Sequence, residues 1–418
     1  MKLTFQDSSC LVRSLVQDAS QFLVMAEFMN VIPEIAEKKD EIVAWRQDIH
    51  AHPELAYKEE RTANLVAERL EAWGFDVHRG LAVTGVVGTL ANGDGPAIGL
   101  RADMDALPIH ETNTFDYKSR NDGKMHACGH DGHTAMLLGA AQYLAANRDF
   151  SGTIQFIFQP AEEAAGGAKV MMDDGLFDLF PVQAVFGMHN WPGLEVGRFA
   201  MRPGPMMASL DCFDIVIEGC GGHGALPHQG VDPVHAAAQV VTALQSIVSR
   251  NADPLQATVI SVTKIHGGDA HNIIPGQVLL GGGIRCFNPE VRELLKTRVV
   301  EIVEGVCKSL GACGTVDFIS GYPAVINGSA EVDLAASVAA DLVGEGNVNA
   351  NSAPVLGSED FAYMLEEKPG CYLFIGNGTG DGGCMIHNSG YDFNDDVITL
   401  GATFWVRLAQ AFLHDTVD

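Results

Sequence analysis

The sequence predicts an α/β protein, with a mixed central sheet and helices on both faces, interrupted by a smaller α+β domain of the split βαβ, ferredoxin-like kind. Three observations carry this. Strand patterns alternate with helix patterns from residue 42 to residue 188, which indicates a layered α/β sheet. The texture changes around Gly197, where Arg202-Pro203-Gly204-Pro205 signals a loop and a strand–helix–strand–strand–helix–strand series follows. After Gly321-Tyr322-Pro323 the α/β texture resumes, as expected where a compact unit is inserted into a larger one.

Taken in order, residues 42–49 and 62–73 place apolar side chains at helical spacing, and Gly74 suits the end of the second helix. Residues 83–90 and 97–101 read as strands. The Ala- and Leu-rich stretch 134–146 is a helix by propensity. Residues 153–158 and 184–188 are apolar runs of strand length. In the inserted unit, 213–218 alternates as a strand, 234–249 is a helix, 257–266 and 277–287 are strands, 289–310 is a helix and 316–320 is the closing strand. A helix at 331–343, a strand at 371–375 and a final helix at 399–413 complete the chain. The resulting division is an N-terminal extension (1–30), a main domain from 31–198 and 320–418, and an inserted domain (199–319). Within the extension, Asp7, Arg13, Asp18 and Glu27 interrupt the apolar residues. A short amphipathic helix fits that pattern better than a secretory signal, and Met25 or Met29 is an alternative start.

At 418 residues the chain is long enough for two domains with sizeable cores. A formal net charge of −27 argues against nucleic acid or an anionic membrane as partner. The nine cysteines are odd in number and scattered, unlike a disulfide framework, and point to a reducing cytoplasm. No apolar run is long enough to span a bilayer.

The chemistry concentrates in His126-Ala127-Cys128-Gly129-His130-Asp131-Gly132-His133. Imidazoles, a thiol and a carboxylate at this density suggest a transition metal. A core cysteine beside helix-start histidines is the plain alternative, and a cysteine hydrolase using Cys128 with His130 or His133 is another. Gln159-Pro160-Ala161-Glu162-Glu163 follows the buried strand 153–158, where open α/β sheets place ligands. One carboxylate there can bind metal while its neighbour serves as general base; a dipole-favoured helix start is the bland reading. Met188-His189-Asn190-Trp191 and Cys384-Met385-Ile386-His387-Asn388 repeat the placement after two further strands.

Together with Arg101-Ala102-Asp103-Met104-Asp105-Ala106-Leu107-Pro108 and Gly357-Ser358-Glu359-Asp360-Phe361, these motifs resemble the M20 metallopeptidase family. The branch they resemble is that of amidohydrolases including hippurate hydrolase, auxin-conjugate hydrolases and N-acetyl-diaminopimelate deacetylases. The resemblance runs from Pro33 to Leu413 and leaves out the N-terminal extension.

The resemblance implies two divalent metal ions, zinc or manganese, with cobalt or nickel as further options. By motif position the ligands would be Cys128, His130, Glu163, His189 and His387. Glu162 would be the general base and Asp105 a carboxylate that orients a ligand. In Gly219-Cys220-Gly221-Gly222-His223-Gly224, the resemblance implies that His223 reaches the partner subunit's site and steadies the oxyanion; a histidine in a Gly-rich turn is the bland reading. Cys220 stands where the branch usually has Lys, and Gly224 where it has Ala. Asn272 and Arg285 resemble a substrate-anchoring pair, and a guanidinium fork suits a terminal carboxylate.

The implied activity is hydrolysis of N-acyl amino acids, small molecules, by a homodimer joined through the inserted domain, with hinges near Pro203 and Gly321. A dipeptidase or carboxypeptidase with the same machinery, and a non-catalytic metal-binding dimer, are the alternatives.

Overall fold

A short helix, Pro33–Glu37, and then two amphipathic helices open the fold of the computed structural model, which describes residues 30–319 and 321–414. The amphipathic helix expected within the first 29 residues lies outside the described residues. Helix α1 (Lys39–Ala51) buries Ile42, Trp45 and Ile49, and α2 (Glu60–Ala72) buries Val66 and Leu70. Gly74, at φ 85°, follows the end of α2, the left-handed position for which glycine carries no Cβ penalty.

The main sheet is built from β1 (Asp76–Leu81), β2 (Gly85–Asn92), β3 (Ala97–Asp103), β4 (Gly152–Gln159), β5 (Ala184–Pro192), β6 (Phe199–Ala200), β11 (Val348–Asn349) and β12 (Gly370–Gly378). Its order is β1-β2-β4-β3-β5-β12-β6-β11. The central strands β4, β3, β5 and β12 run parallel, whereas β1/β2, β2/β4 and β12/β6 pair antiparallel. Central strands read as continuous apolar runs because both faces are covered. Alternate residues feed two cores. Leu100, Phe156, Phe186 and Leu373 pack under the long helices α1, α2, α3 (His130–Ala146), α6 (Ser329–Val343) and α7 (Ile398–His414). Ile157, Val185 and Tyr372 face the other side, covered by short helices such as Gly167–Asp173 and Ala362–Glu367.

Residues 209–319 form a second, wholly antiparallel sheet. Strands β7 (Ser209–Glu218), β8 (Thr258–His266), β9 (Gln277–Cys286) and β10 (Cys313–Ile319) lie in the order β8-β9-β7-β10. Helices α4 (Pro233–Ser246) and α5 (Pro289–Ser309) close a separate core around Phe213, Ile215, Leu244 and Val299. Both helices start on a side-chain cap followed by proline: Asp232 accepts from Val234 N and His235 N, and Asn288 from Glu290 N. The strand order is that of the split βαβ unit. Helix α4 stops before the expected residue 249 because Ile247–Asn251 winds as a π-turn.

Strand β1 was not foreseen. It is the sheet's edge, mostly exposed, and has no apolar alternation to read. The parallel strands β3, β4 and β5 end at Asp103, Gln159 and Pro192. The loops beyond β3 and β4 carry Asp105, Cys128, Glu162 and Glu163, whereas His189 lies within β5, past the expected strand end at residue 188, and His387 follows β12.

Candidate metal centre

Cys128 and His130 flank Gly129, which precedes α3 at φ 98°. A Cβ on Gly129 would lie 2.2 Å from Asn190 Oδ1 and 2.6 Å from the Tyr391 hydroxyl. Only glycine fits, and its conformation turns both neighbours toward the strand ends. The His130 Nδ1 lies 3.2 Å from Asp105 Oδ1, so that nitrogen is engaged and Nε2 is left buried without a hydrogen-bond partner among the described residues. His189 Nδ1–H donates to the Asn190 carbonyl at 2.6 Å, directing Nε2 to 3.3 Å from Cys128 Sγ. This is how metal-ligating imidazoles are usually oriented.

Glu162 and Glu163 sit on the turn Glu162–Ala165, entered through Ala161 at φ 58°. Their backbone N–H groups donate to the two oxygens of Asp105, at 3.0 and 2.9 Å. Asp105 therefore fixes this turn as well as His130. Glu163 Oε1 is buried without hydrogen-bond geometry and lies 3.1 Å from His387 Nε2. His387 takes a left-handed φ of 64°, and its N–H donates to Ala127 O at 2.7 Å.

All five expected ligands thus converge. Cys128, His130 and His189 offer atoms within 4.8 Å of one another, as do Cys128, Glu163 and His387. The shared thiol makes these two adjoining pockets. The donor set fits a pair of divalent ions: thiolate, imidazole and carboxylate, with His130 Nε2 and Glu163 Oε1 buried and without a hydrogen bond among the described residues.

The electrostatics favour cations. Burial raises the Cys128 thiol well above its usual range, and the carboxylates of Glu163 and Glu162 add to this. Without a cation this sulfur stays protonated, which weakens the reading of Cys128 as a nucleophile. Burial pulls His130 down, but Asp103 and Asp105 outweigh it and push it up to about 10. Burial, then repulsion from Glu359 and Glu163, lifts the Glu162 carboxyl well above the ordinary range.

Both ring nitrogens of His133 are engaged, although Asp103, His130 and His133 also bring their polar atoms within 4.8 Å of one another. Its Nδ1 lies 2.6 Å from Asp103 Oδ1 and its Nε2 2.8 Å from Asn190 Oδ1. Asp131 turns away from the centre to His50 and Arg46, and His126 is buried beside it. His223 and Asn272 are exposed, on a short ribbon in which Gly222–His223 pairs with Ile273–Ile274. Among the described residues no hydrogen bond or ion pair joins His223 to the centre; its Nδ1 accepts from Ala225 N. Arg285 Nη1 donates to Leu356 O at 2.6 Å.

Several supporting groups were missed. Arg101, inside the apolar strand β3, bonds Asp103, Gln159, Glu359 and Asp360. A lone arginine within a strand pattern was the available signal. The Tyr322 hydroxyl donates to Glu162 O at 2.5 Å and lies 3.3 Å from Gly166 N; nothing local in the sequence announces that contact.

The profile of peptidase family M20/M25/M40 matches residues 99–411. Hippurate hydrolase of Campylobacter jejuni is 42% identical over 386 residues, covering 92% of this chain and all of that one. Thermostable carboxypeptidase 2 of Saccharolobus solfataricus is 41% identical, covering 91% and 97%. Among solved structures, the YXEP protein of Bacillus subtilis, a dinuclear metal binding peptidase, superposes with a TM-score of 0.79 at 33% identity, covering 91% of this chain and 100% of that one.

Proposed function

Because the chain belongs to peptidase family M20/M25/M40, we propose that it is a metal-dependent amidohydrolase that cleaves N-acyl amino acids, of acetyl or benzoyl type, into a carboxylic acid and a free amino acid. The observation that carries this reading is the buried Glu162 beside Glu163, at a cluster of Cys, His and Glu donors whose ligating atoms converge and include His130 Nε2 and Glu163 Oε1, both buried without a hydrogen bond among the described residues.

Cys128, His130 and His189 would hold one ion, and Cys128, Glu163 and His387 the other. Two divalent ions, when bound, would supply an acidified water and a polarised amide carbonyl. Thiolate and imidazole donors suit zinc; manganese, cobalt or nickel are the alternatives. The chain's own residues do the rest. Glu162 has a raised proton affinity from burial and its acidic neighbours. It takes the proton of the attacking water and passes it to the departing amine. Asp105 holds the Glu162 and Glu163 amides and the His130 ring in register. Arg285 and Asn272 anchor the substrate carboxylate. His223 steadies the oxyanion in a second copy's site, the chain working as a homodimer through residues 199–319; the exposure of the His223 ribbon supports this assignment. A reduced Cys128 suits a cytoplasmic setting.

Glu162→Ala tests the mechanism. The variant is expected to keep both ions and lose about 10²–10⁴-fold in turnover of N-acyl amino acids. Near wild-type hydrolysis by the metal-loaded variant would overturn the assignment. The 41% identity to a carboxypeptidase favours one second reading, peptide-bond cleavage by the same groups. Rates on N-acetyl, N-benzoyl and dipeptide substrates separate the two.

A further inference from the structure

We propose that Arg46 is a positioning residue for His387, fixing the loop that presents this ligand to its ion; the proposal rests on the two-ion reading above. His387 needs such support. Its side chain is 50% exposed and its backbone is left-handed, so little packing holds the ring in place.

Arg46 lies on the inner face of α1, wholly buried, before the stretch that the family profile matches. Its Nε donates to Asp395 Oδ1 at 2.8 Å and its Nη1 to Asp392 Oδ1 at 3.0 Å. The same Nη1 lies 3.4 Å from Asp131 Oδ2. The guanidinium stands 4.6 Å over the Tyr117 ring, whose hydroxyl donates to Asp392 Oδ2 at 2.6 Å. Gln47 Nε2 takes the second oxygen of Asp395 at 2.9 Å.

Two of these carboxylates follow His387: Asp392 in its own loop, and Asp395 at the start of the 3-10 turn Asp395–Val397 that ends it. The third, Asp131, adjoins the ligand His130 on α3. One planar fork therefore ties the loop that presents His387 to the helix that presents His130. Lysine, a point charge without the fork, cannot hold three carboxylates along fixed directions. Relative to well-packed apolar side chains, buried ion pairs add little net stability, and α1 already buries Ile42, Trp45 and Ile49. Fixing geometry is the role that remains. Loss of the fork loosens the Cys128–Glu163–His387 pocket and spares the Cys128–His130–His189 pocket, because α3 is buried along most of its length.

The test is calorimetric titration of metal-free protein with Co²⁺, read in parallel by cobalt d–d absorption. Wild type, Arg46→Lys and Asp395→Asn are compared, with circular dichroism as the fold check. Wild type takes up two ions. Arg46→Lys is expected to bind one ion as wild type does and the second about 10–100-fold more weakly. Asp395→Asn removes one loop contact and leaves Arg46 paired with Asp392 and Asp131; it shifts the second ion in the same direction and decides the matter if Arg46→Lys does not fold. Folded variants that bind both ions with wild-type affinity, or that lose both equally, overturn the proposal. Wild type that takes up fewer than two ions overturns the two-ion reading itself, and the role of Arg46 with it.

Discussion

His50 shows how a single buried side chain can report on the network below the candidate metal centre. Its Nδ1 lies 2.8 Å from Asp131 and its Nε2 3.2 Å from Glu111. Burial alone would lower its pKa, yet the hydrogen bonds to Asp131 and Glu111 carry it up to about 9. A folded-state pKa above the unfolded value of about 6.5 means that protonated His50 stabilises the fold at low pH. That contribution is complete below about pH 6.5 and is lost as the pH rises through 9. The expected outcome is a stability gap between wild type and His50→Gln that shrinks by about 3 kcal/mol at most between pH 6.5 and 9. Urea denaturation across that range measures it, and a gap that stays constant or widens contradicts the assignment. At this scale the sequence was informative wherever chemistry is local. Cys128, His130, Glu163, His189 and His387 are reactive residues that stand in short, recognisable motifs. Arg46 and Asp395 pair across 349 positions, and no local pattern marks such a pair.

The turn that bears Glu162 and Glu163 shows what an element adds to its residues. Asp105 holds its N–H groups, Glu59 Oε1 accepts from Ala161 N at 2.9 Å, and Asp360 Oδ2 accepts from Ala168 N at 2.9 Å. From the other side comes Tyr322, in the segment returning from the second sheet, with its hydroxyl on the Glu162 carbonyl. A neighbouring tyrosine, Tyr363, bonds Gly321 O at 2.8 Å and pins the same segment to the main domain. Removing one hydroxyl should free the Glu162 carbonyl while Asp105 still holds the Glu163 N–H. Tyr322→Phe is therefore expected to lower kcat about tenfold, with KM and metal content unchanged. Steady-state kinetics on metal-analysed protein decides this; a rise in KM at constant kcat would make Tyr322 a binding residue instead. Long periodic elements such as α3 and α7, and the apolar strands β4 and β5, were readable because their pattern states their environment. Strand β1 and the two-residue β6 and β11 were not, since edge position and brevity leave no period to detect.

For the whole molecule, the proposed oxyanion role of His223 needs a geometry that one chain does not present. His223 sits exposed on its ribbon, with Leu226 and Ile273 as exposed apolar neighbours, and makes no bond to the centre of its own chain among the described residues. A role at the oxyanion requires either a second copy of the chain or closure of residues 209–319 over the main sheet. Mixing inactive subunits separates these routes. In a heterodimer of Glu162→Ala and His223→Ala chains, the Glu162→Ala centre lacks its base. The His223→Ala centre keeps Glu162 and receives His223 from its neighbour. Random reassociation of equal amounts makes about half the dimers mixed, each with one working site, so activity should return to about a quarter of wild type. If His223 acts within its own chain, every centre in the mixture lacks one group and activity stays at the level of the separate variants. Light scattering on the same samples shows whether the subunits associate, and a fully active monomer would remove the intersubunit role for His223.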